Sequence, residues 1–229
     1  PLADPASQPV HFDPWLTENP IPDPAPDAPD CVSDCFSNVL FLPGIEASRL
    51  YRPQVVGDPD KRLWEPGIND DLHELYLDPE GKSVLDDIYT KEGDVIKETP
   101  IGVNIYRSFT DKMDVLESQH LINDCESAPY DWRLSLEDIL AGAKQTRDRI
   151  SNLAATSTPY IEQELRRLAS TSRTGKVTIV AHSNGGLVGK ALMRTLGATT
   201  TQQLIDTVIF VASPQAGTPA ALAALMHGH

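Results

Sequence analysis

The chain has 229 residues, 40% of them hydrophobic and 23% charged, enough to bury the core of one ordinary domain and too apolar for overall disorder. Its 33 acidic and 19 basic residues give a net charge of −14, which excludes a broad nucleic-acid-binding role, because phosphate backbones are gripped by clustered Lys and Arg. No apolar run approaches the roughly 20 residues of a membrane-spanning helix, so no transmembrane segment is expected. The first residue is Pro1 rather than Met, the mark of a processed or excised chain.

Residues 1–30 hold nine prolines, six acids and no Lys or Arg. Such a stretch cannot bury enough apolar area to offset its ordering entropy. Residues 1–35 are therefore expected to form an extended or partly disordered leader, with His11, Phe12, Trp15 and Leu16 as points that could dock. Residues 36–229 are expected to form a partial α/β domain with a loop-rich excursion at about 52–100. Three cysteines, Cys31, Cys35 and Cys125, are too few for a disulfide scaffold. They allow one disulfide and one free thiol in three pairings. Cys-x3-Cys without a second ligand pair is a poor zinc pattern, and no metal is expected. The acidic leader and the available disulfide lean toward an exported protein.

The elements then follow in order. Val39-Leu40-Phe41-Leu42 reads as a buried strand closed by the turn Pro43-Gly44. Helical spacing runs from 106 to 116. A weaker strand candidate spans 121–130, followed by Asp131-Trp132-Arg133. Ser135 caps a long helical region, with Asp138 standing in for the usual Glu of a capping box. Pro159 interrupts that region, and a second helical piece runs to about 170. Residues 176–181 read as a buried strand, 185–196 as a helix and 206–212 as another buried strand. Alternation of apolar strands with helices predicts a mostly parallel sheet covered on both faces, with right-handed crossovers.

The junction Ala181-His182-Ser183-Asn184-Gly185-Gly186 carries the most information. A serine between strand and helix, with small residues two before and two after, is the nucleophile-elbow pattern. The turn must be tight and strained so that the hydroxyl projects from the carboxyl edge of the sheet. Bulky groups at 181 and 185 would collide with the neighbouring strand and helix. The pattern points to Ser183 as nucleophile, with the Asn184 amide, at the helix start, donating to a developing oxyanion. A structural turn could use the same residues, but the strand before and the helix after are what the catalytic pattern requires. His182 is too close in sequence to reach Ser183 from such a turn, and is expected to pack near the sheet edge. The loop Leu42-Pro43-Gly44-Ile45 stands where α/β-hydrolases supply the second oxyanion donor, which would be the amide of Ile45.

Four segments resemble the lecithin:cholesterol acyltransferase-like branch of the α/β-hydrolases. They are Leu42-Pro43-Gly44 with Ser48-Arg49-Leu50; Ala128-Pro129-Tyr130-Asp131-Trp132-Arg133; the elbow; and Ser213-Pro214-Gln215-Ala216-Gly217-Thr218-Pro219 with Leu225-Met226-His227-Gly228. The resemblance runs from about residue 36 to the end, and Leu63-Trp64-Glu65-Pro66 looks like bacterial relatives. It implies an α/β-hydrolase fold and acyl transfer or hydrolysis on lipid esters through a Ser183 acyl-enzyme, with water or an alcohol as acceptor and no cofactor. Ile45 and Asn184 would supply the oxyanion hole. A buried carboxylate–guanidinium contact by Asp131 or Arg133 is weighed against a substrate role, and the motif is read as structural. Trp64 would either touch the acyl group or anchor a long loop.

The chain departs from the family in one respect. The hydrolase order is Ser, then acid, then His. After Ser183 the acid is Asp206, at the wrong end of its strand, and the histidines are His227 and His229. The expectation is a chain that stops before its last strands, leaving an unpaired sheet edge near 206–212. Two other readings stay open: a non-catalytic binding module or inactive fragment that keeps the fold, and a phosphate-holding turn. The latter lacks any Gly-x-x-x-x-Gly-Lys-Ser/Thr or Gly-x-Gly-x-x-Gly pattern.

Overall fold

In the computed structural model the described residues are 36–54, 59–65, 69–141 and 159–219. The leader, Cys31, Cys35, most of the helical region expected after Ser135, and His227 and His229 lie outside them. Four strands, β1 (Asn38–Leu42), β4 (Cys125–Ser127), β5 (Val177–His182) and β6 (Ile205–Val211), form a sheet in the order β4-β1-β5-β6. All three pairings are parallel. A separate antiparallel pair joins β2 (Leu50–Arg52) to β3 (Lys61–Trp64). It lies inside the excursion together with the short helix α1 (Asn69–His73).

The period of two along the strands splits the core. On one face, Leu40, Leu42, Val177, Ile179 and Ala181 pack with α3 (Leu136–Ala141), α4 (Tyr160–Thr171) and α5 (Asn184–Leu204). On the other, Phe41 and Val180 meet Tyr106 and Phe109, at the start of α2 (Arg107–Ser118). Helices thus cover both faces, as a parallel sheet requires. The sequence expectations for α2, α4 and β5 agree with these elements to within two residues. Ser135 caps α3 through its Oγ, which accepts the Asp138 N–H at 3.2 Å. The Asp138 carboxylate instead takes the Ser135 hydroxyl, at 2.8 Å, and Lys82, so only half of a capping box forms.

The helix after Ser183 begins at Asn184 and its helical backbone breaks at Gly197 (φ 75°, ψ 166°), one residue past the expected end, with a second helical piece running on to Leu204. That conformation is open to glycine and ends the apolar spacing read from sequence. Strand β6, read as buried, leaves Ile209, Phe210 and Val211 at 40–46% exposed. Its apolar pattern is that of an inner strand, but among the described residues it pairs with β5 alone. The unpaired edge expected at 206–212 is therefore present among the described residues.

Tyr130-Asp131-Trp132-Arg133 ties the excursion to the sheet. The Arg133 guanidinium spans both Asp131 oxygens, with Nε to Oδ1 at 2.8 Å, and the two side chains are 4% and 5% exposed. Arg133 also donates to the Leu75 carbonyl at 2.9 Å and the Ser83 hydroxyl at 3.1 Å. This is the paired arrangement that a buried charge requires. Arg133→Met leaves Asp131 buried and unpaired, and is expected to cost about 3–5 kcal/mol in equilibrium denaturant unfolding. A loss below about 1 kcal/mol would contradict a structural role for the pair.

Candidate active site

The chain runs from β1 outward to β4, then crosses to β5 and on to β6, so the order reverses between β1 and β5. The carboxyl ends of strands at such a reversal are where open α/β sheets place their ligands. Here those ends carry the Pro43-Gly44 turn and the Ser183 turn. The β1–β5 register pairs Leu42 with Ala181, which sets Gly44 alongside Ser183. A Cβ added to Gly44 would lie 3.2 Å from the Cβ of Ser183. The loop therefore passes within van der Waals contact of the serine.

Ser183 adopts φ 51°, ψ −121°, a conformation costly for a residue with a Cβ and held only where the surroundings impose it. Its N–H is fixed to the Val211 carbonyl at 2.9 Å and its carbonyl accepts the Gly186 N–H at 3.0 Å. It is half-buried and stands at the N-cap of α5 without capping the helix. Among the described residues its hydroxyl has no hydrogen-bond partner, and neither the Ile45 nor the Asn184 N–H donates to a protein acceptor. Asn184 opens the helix, where the dipole adds partial positive charge.

Glycine is obligatory beneath the turn. A Cβ at Gly185 would lie 2.2 Å from the Leu42 carbonyl oxygen, and one at Gly186 would lie 2.0 Å from the Ser213 hydroxyl. Ala181 is completely buried. The small residues around Ser183 thus let the helix press directly onto the backbone of β1.

Two buried tyrosines hold the loop, and neither was singled out for this role from sequence. The Tyr130 hydroxyl donates to the Pro43 carbonyl at 2.7 Å and accepts from Asn184 Nδ2 at 3.3 Å. The Tyr106 hydroxyl accepts the Gly44 N–H at 2.9 Å and lies 2.8 Å from His182 Nδ1. Burial pushes both hydroxyls upward in pKa. They stay protonated at neutral pH and act as hydrogen-bonding struts rather than bases. His182 turns toward Tyr106, its ring edge-on at 5.6 Å between centroids.

The Trp64 indole N–H donates to the Glu46 carbonyl at 2.6 Å, and its ring meets Trp132 at 5.1 Å, over the cluster of Leu50, Leu63, Leu75 and Ile88. Through Glu46 it braces the same loop that carries Ile45. Cys125 is a free thiol, pushed up in pKa by burial and then by Glu117. Cys31 and Cys35 lie outside the described residues. Asp206 accepts from the Ser37 hydroxyl at 2.8 Å, at the amino end of the sheet, away from Ser183. No helix among the described residues is long and apolar enough to cross a membrane.

A model of the lecithin:cholesterol acyltransferase family matches residues 96–229, more than half of the chain. The chain belongs to this family. The sheet, its order and its helical cover are those of an α/β-hydrolase fold. The matched segment includes Tyr106, the Tyr130–Arg133 motif and the Ser183 turn, while the Pro43–Ile45 loop precedes it. No curated protein matches the chain. Membership suggests acyltransferase or phospholipase-type activity on lipid esters.

The contact beneath the turn is testable by a pair of glycine substitutions. Gly185→Ala forces a methyl into the Leu42 carbonyl and is expected to cost more than about 4 kcal/mol, or to yield no soluble protein. Gly189→Ala meets only the end of the Leu42 side chain, at 3.3 Å, and is expected to fold with a melting temperature within a few degrees of the parent. Equal tolerance at both positions in thermal unfolding would contradict this packing.

Proposed function

We propose that the protein transfers or hydrolyses acyl groups of lipid esters with Ser183 as the nucleophile, and that the N–H groups of Ile45 and Asn184 form the oxyanion hole. The observation that carries the reading is the backbone of Ser183: a positive φ at the strand–helix junction, with the hydroxyl unpartnered and half-buried at the sheet's carboxyl edge. A merely structural turn would be filled by glycine at no steric cost. A serine kept there implies use of its side chain.

In the proposed reaction Ser183 Oγ attacks the ester carbonyl carbon. The Oγ–C bond forms as the π pair moves onto the carbonyl oxygen, which the two free N–H groups stabilise. Collapse expels the alcohol and leaves an acyl-Ser183; water or a second alcohol then takes the acyl group. The serine proton needs a base. Among the described residues the histidine nearest in sequence, His182, is bound to Tyr106, and His227 and His229 lie outside them. Trp64, fixed beside the Glu46 carbonyl, is the residue we assign to the acyl-contacting wall. No cofactor is part of the proposal.

A fluorophosphonate probe applied to the intact protein is expected to label Ser183, located by peptide mass spectrometry, and Ser183→Ala is expected to lose at least 99% of that labelling. Labelling of Ser183→Ala at the parent level would falsify the assignment. Ester-dependent lipid binding that survives Ser183→Ala, with no hydrolysis by the intact protein, would instead make the chain a binding module.

A further inference from the structure

The geometry points to Tyr106 and His182 as positioning residues for acyl transfer: together they tie the residue before the oxyanion donor Ile45 to the residue before the nucleophile Ser183. The inference rests on the proposed role of Ser183 and concerns what makes that site rigid.

The β1–β5 ladder stops at Leu42 and Ala181, two residues short of Ser183 and three short of Ile45. Beyond that point Tyr130 joins Pro43 to Asn184, and the Tyr106 hydroxyl adds the link between Gly44 and His182. It accepts the Gly44 N–H at 2.9 Å and shares a hydrogen bond with His182 Nδ1 at 2.8 Å. The result is a two-bond relay from the Gly44 N–H through the Tyr106 hydroxyl to His182.

The placement of the tyrosine supports this. Tyr106 is 7% exposed, and its ring stands edge-on to Phe41 at 4.8 Å between centroids. The hydroxyl therefore cannot wander. The same bond consumes the Gly44 N–H, so this amide cannot compete with Ile45 for a developing oxyanion. A side chain at Gly44 would crowd this relay, because a Cβ there would sit 3.0 Å from His182 Nδ1 and 3.3 Å from the Tyr106 hydroxyl and both would have to give by a few tenths of an ångström. The loop is clamped from one side by this relay and from the other by Tyr130 on the Pro43 carbonyl.

The test measures the phosphonylation of Ser183 by a fluorophosphonate in the intact protein, separating the maximal rate kinact from the probe affinity KI. Tyr106→Phe keeps the ring and removes only the oxygen. It is expected to lower kinact about tenfold, a fraction of the 10²–10³ that loss of an oxyanion donor costs, with KI within twofold. His182→Ala is expected to fall to the same level. His182→Asn, which returns a side-chain amide able to hydrogen-bond the Tyr106 hydroxyl, is expected to recover at least half of the parent rate. The double variant Tyr106→Phe/His182→Ala should be no slower than the worse single variant, because both break one unit. A kinact within twofold of the parent for Tyr106→Phe, or a His182→Asn as slow as His182→Ala, would overturn the relay. If Tyr106→Phe does not fold, the two His182 variants decide alone. A parent protein that is not labelled at Ser183 removes the nucleophile and the relay together, whereas normal labelling of parent and variants alike removes only the relay.

Discussion

The structure depends on a close approach between two backbones, the carbonyl of Leu42 at the end of β1 and the α-carbon of Gly185 at the start of α5. With 2.2 Å between that oxygen and the place where a Cβ would stand, the helix is seated as deeply as a polypeptide allows. This seating sets the exit angle of β5, and the exit angle forces Ser183 to positive φ. A helix held even one methyl further out would relax the turn and let the serine adopt an ordinary extended conformation, with its hydroxyl no longer lifted from the sheet edge. The strain at Ser183 is maintained by burial elsewhere: Leu42, Ile179, Val188 and Leu192 lie beneath it, all at most 2% exposed. Truncation of one such leucine typically costs about 2–5 kcal/mol, ample to hold a strained residue worth about 1–3 kcal/mol.

Around this seat the polar groups divide by task. Those of the Pro43-Gly44 turn and of the Asn184 side chain are occupied. Gly44 N–H is held by Tyr106, the Pro43 carbonyl by Tyr130 and the Asn184 side chain by the same Tyr130 hydroxyl. The Ser183 hydroxyl and the N–H groups of Ile45 and Asn184 are left without protein partners among the described residues. Ile45 is exposed and Ser183 and Asn184 are half-buried, so these open groups can be reached from solvent beside a strained serine. The Asp131–Arg133 pair works at longer range. It fastens the excursion, through Leu75 and Ser83, to the segment that also carries Tyr130.

The turn itself was legible because its physics is local. Ala181, Gly185 and Gly186 are small for steric reasons that act within three residues of Ser183, and the flanking strand and helix announce themselves by their own periodicities. The structural reading of Tyr130-Asp131-Trp132-Arg133 was also open in advance, but that Asp131 and Arg133 pair with each other came from the structure. The two tyrosine struts could not be seen, because their partners lie 62 and 54 residues away in sequence, and nothing in a linear pattern says which hydroxyl meets which amide. Trp64 read equally well as a loop anchor or a substrate contact, since both demand a large aromatic. Its bond to Glu46 emerged only from tertiary placement. The exposure of β6 was concealed by its composition: Ile209, Phe210 and Val211 carry the apolar pattern of an inner strand whatever lies beside them.

The most direct test of the account is a crystal structure of the intact protein after phosphonylation. The account predicts a phosphorus bonded to Ser183 Oγ, with its phosphoryl oxygen about 2.7–3.1 Å from both the Ile45 and the Asn184 backbone nitrogens and the Gly44 N–H still on Tyr106. A phosphoryl oxygen turned away from both nitrogens, or one bound by Gly44 after release from Tyr106, would contradict it.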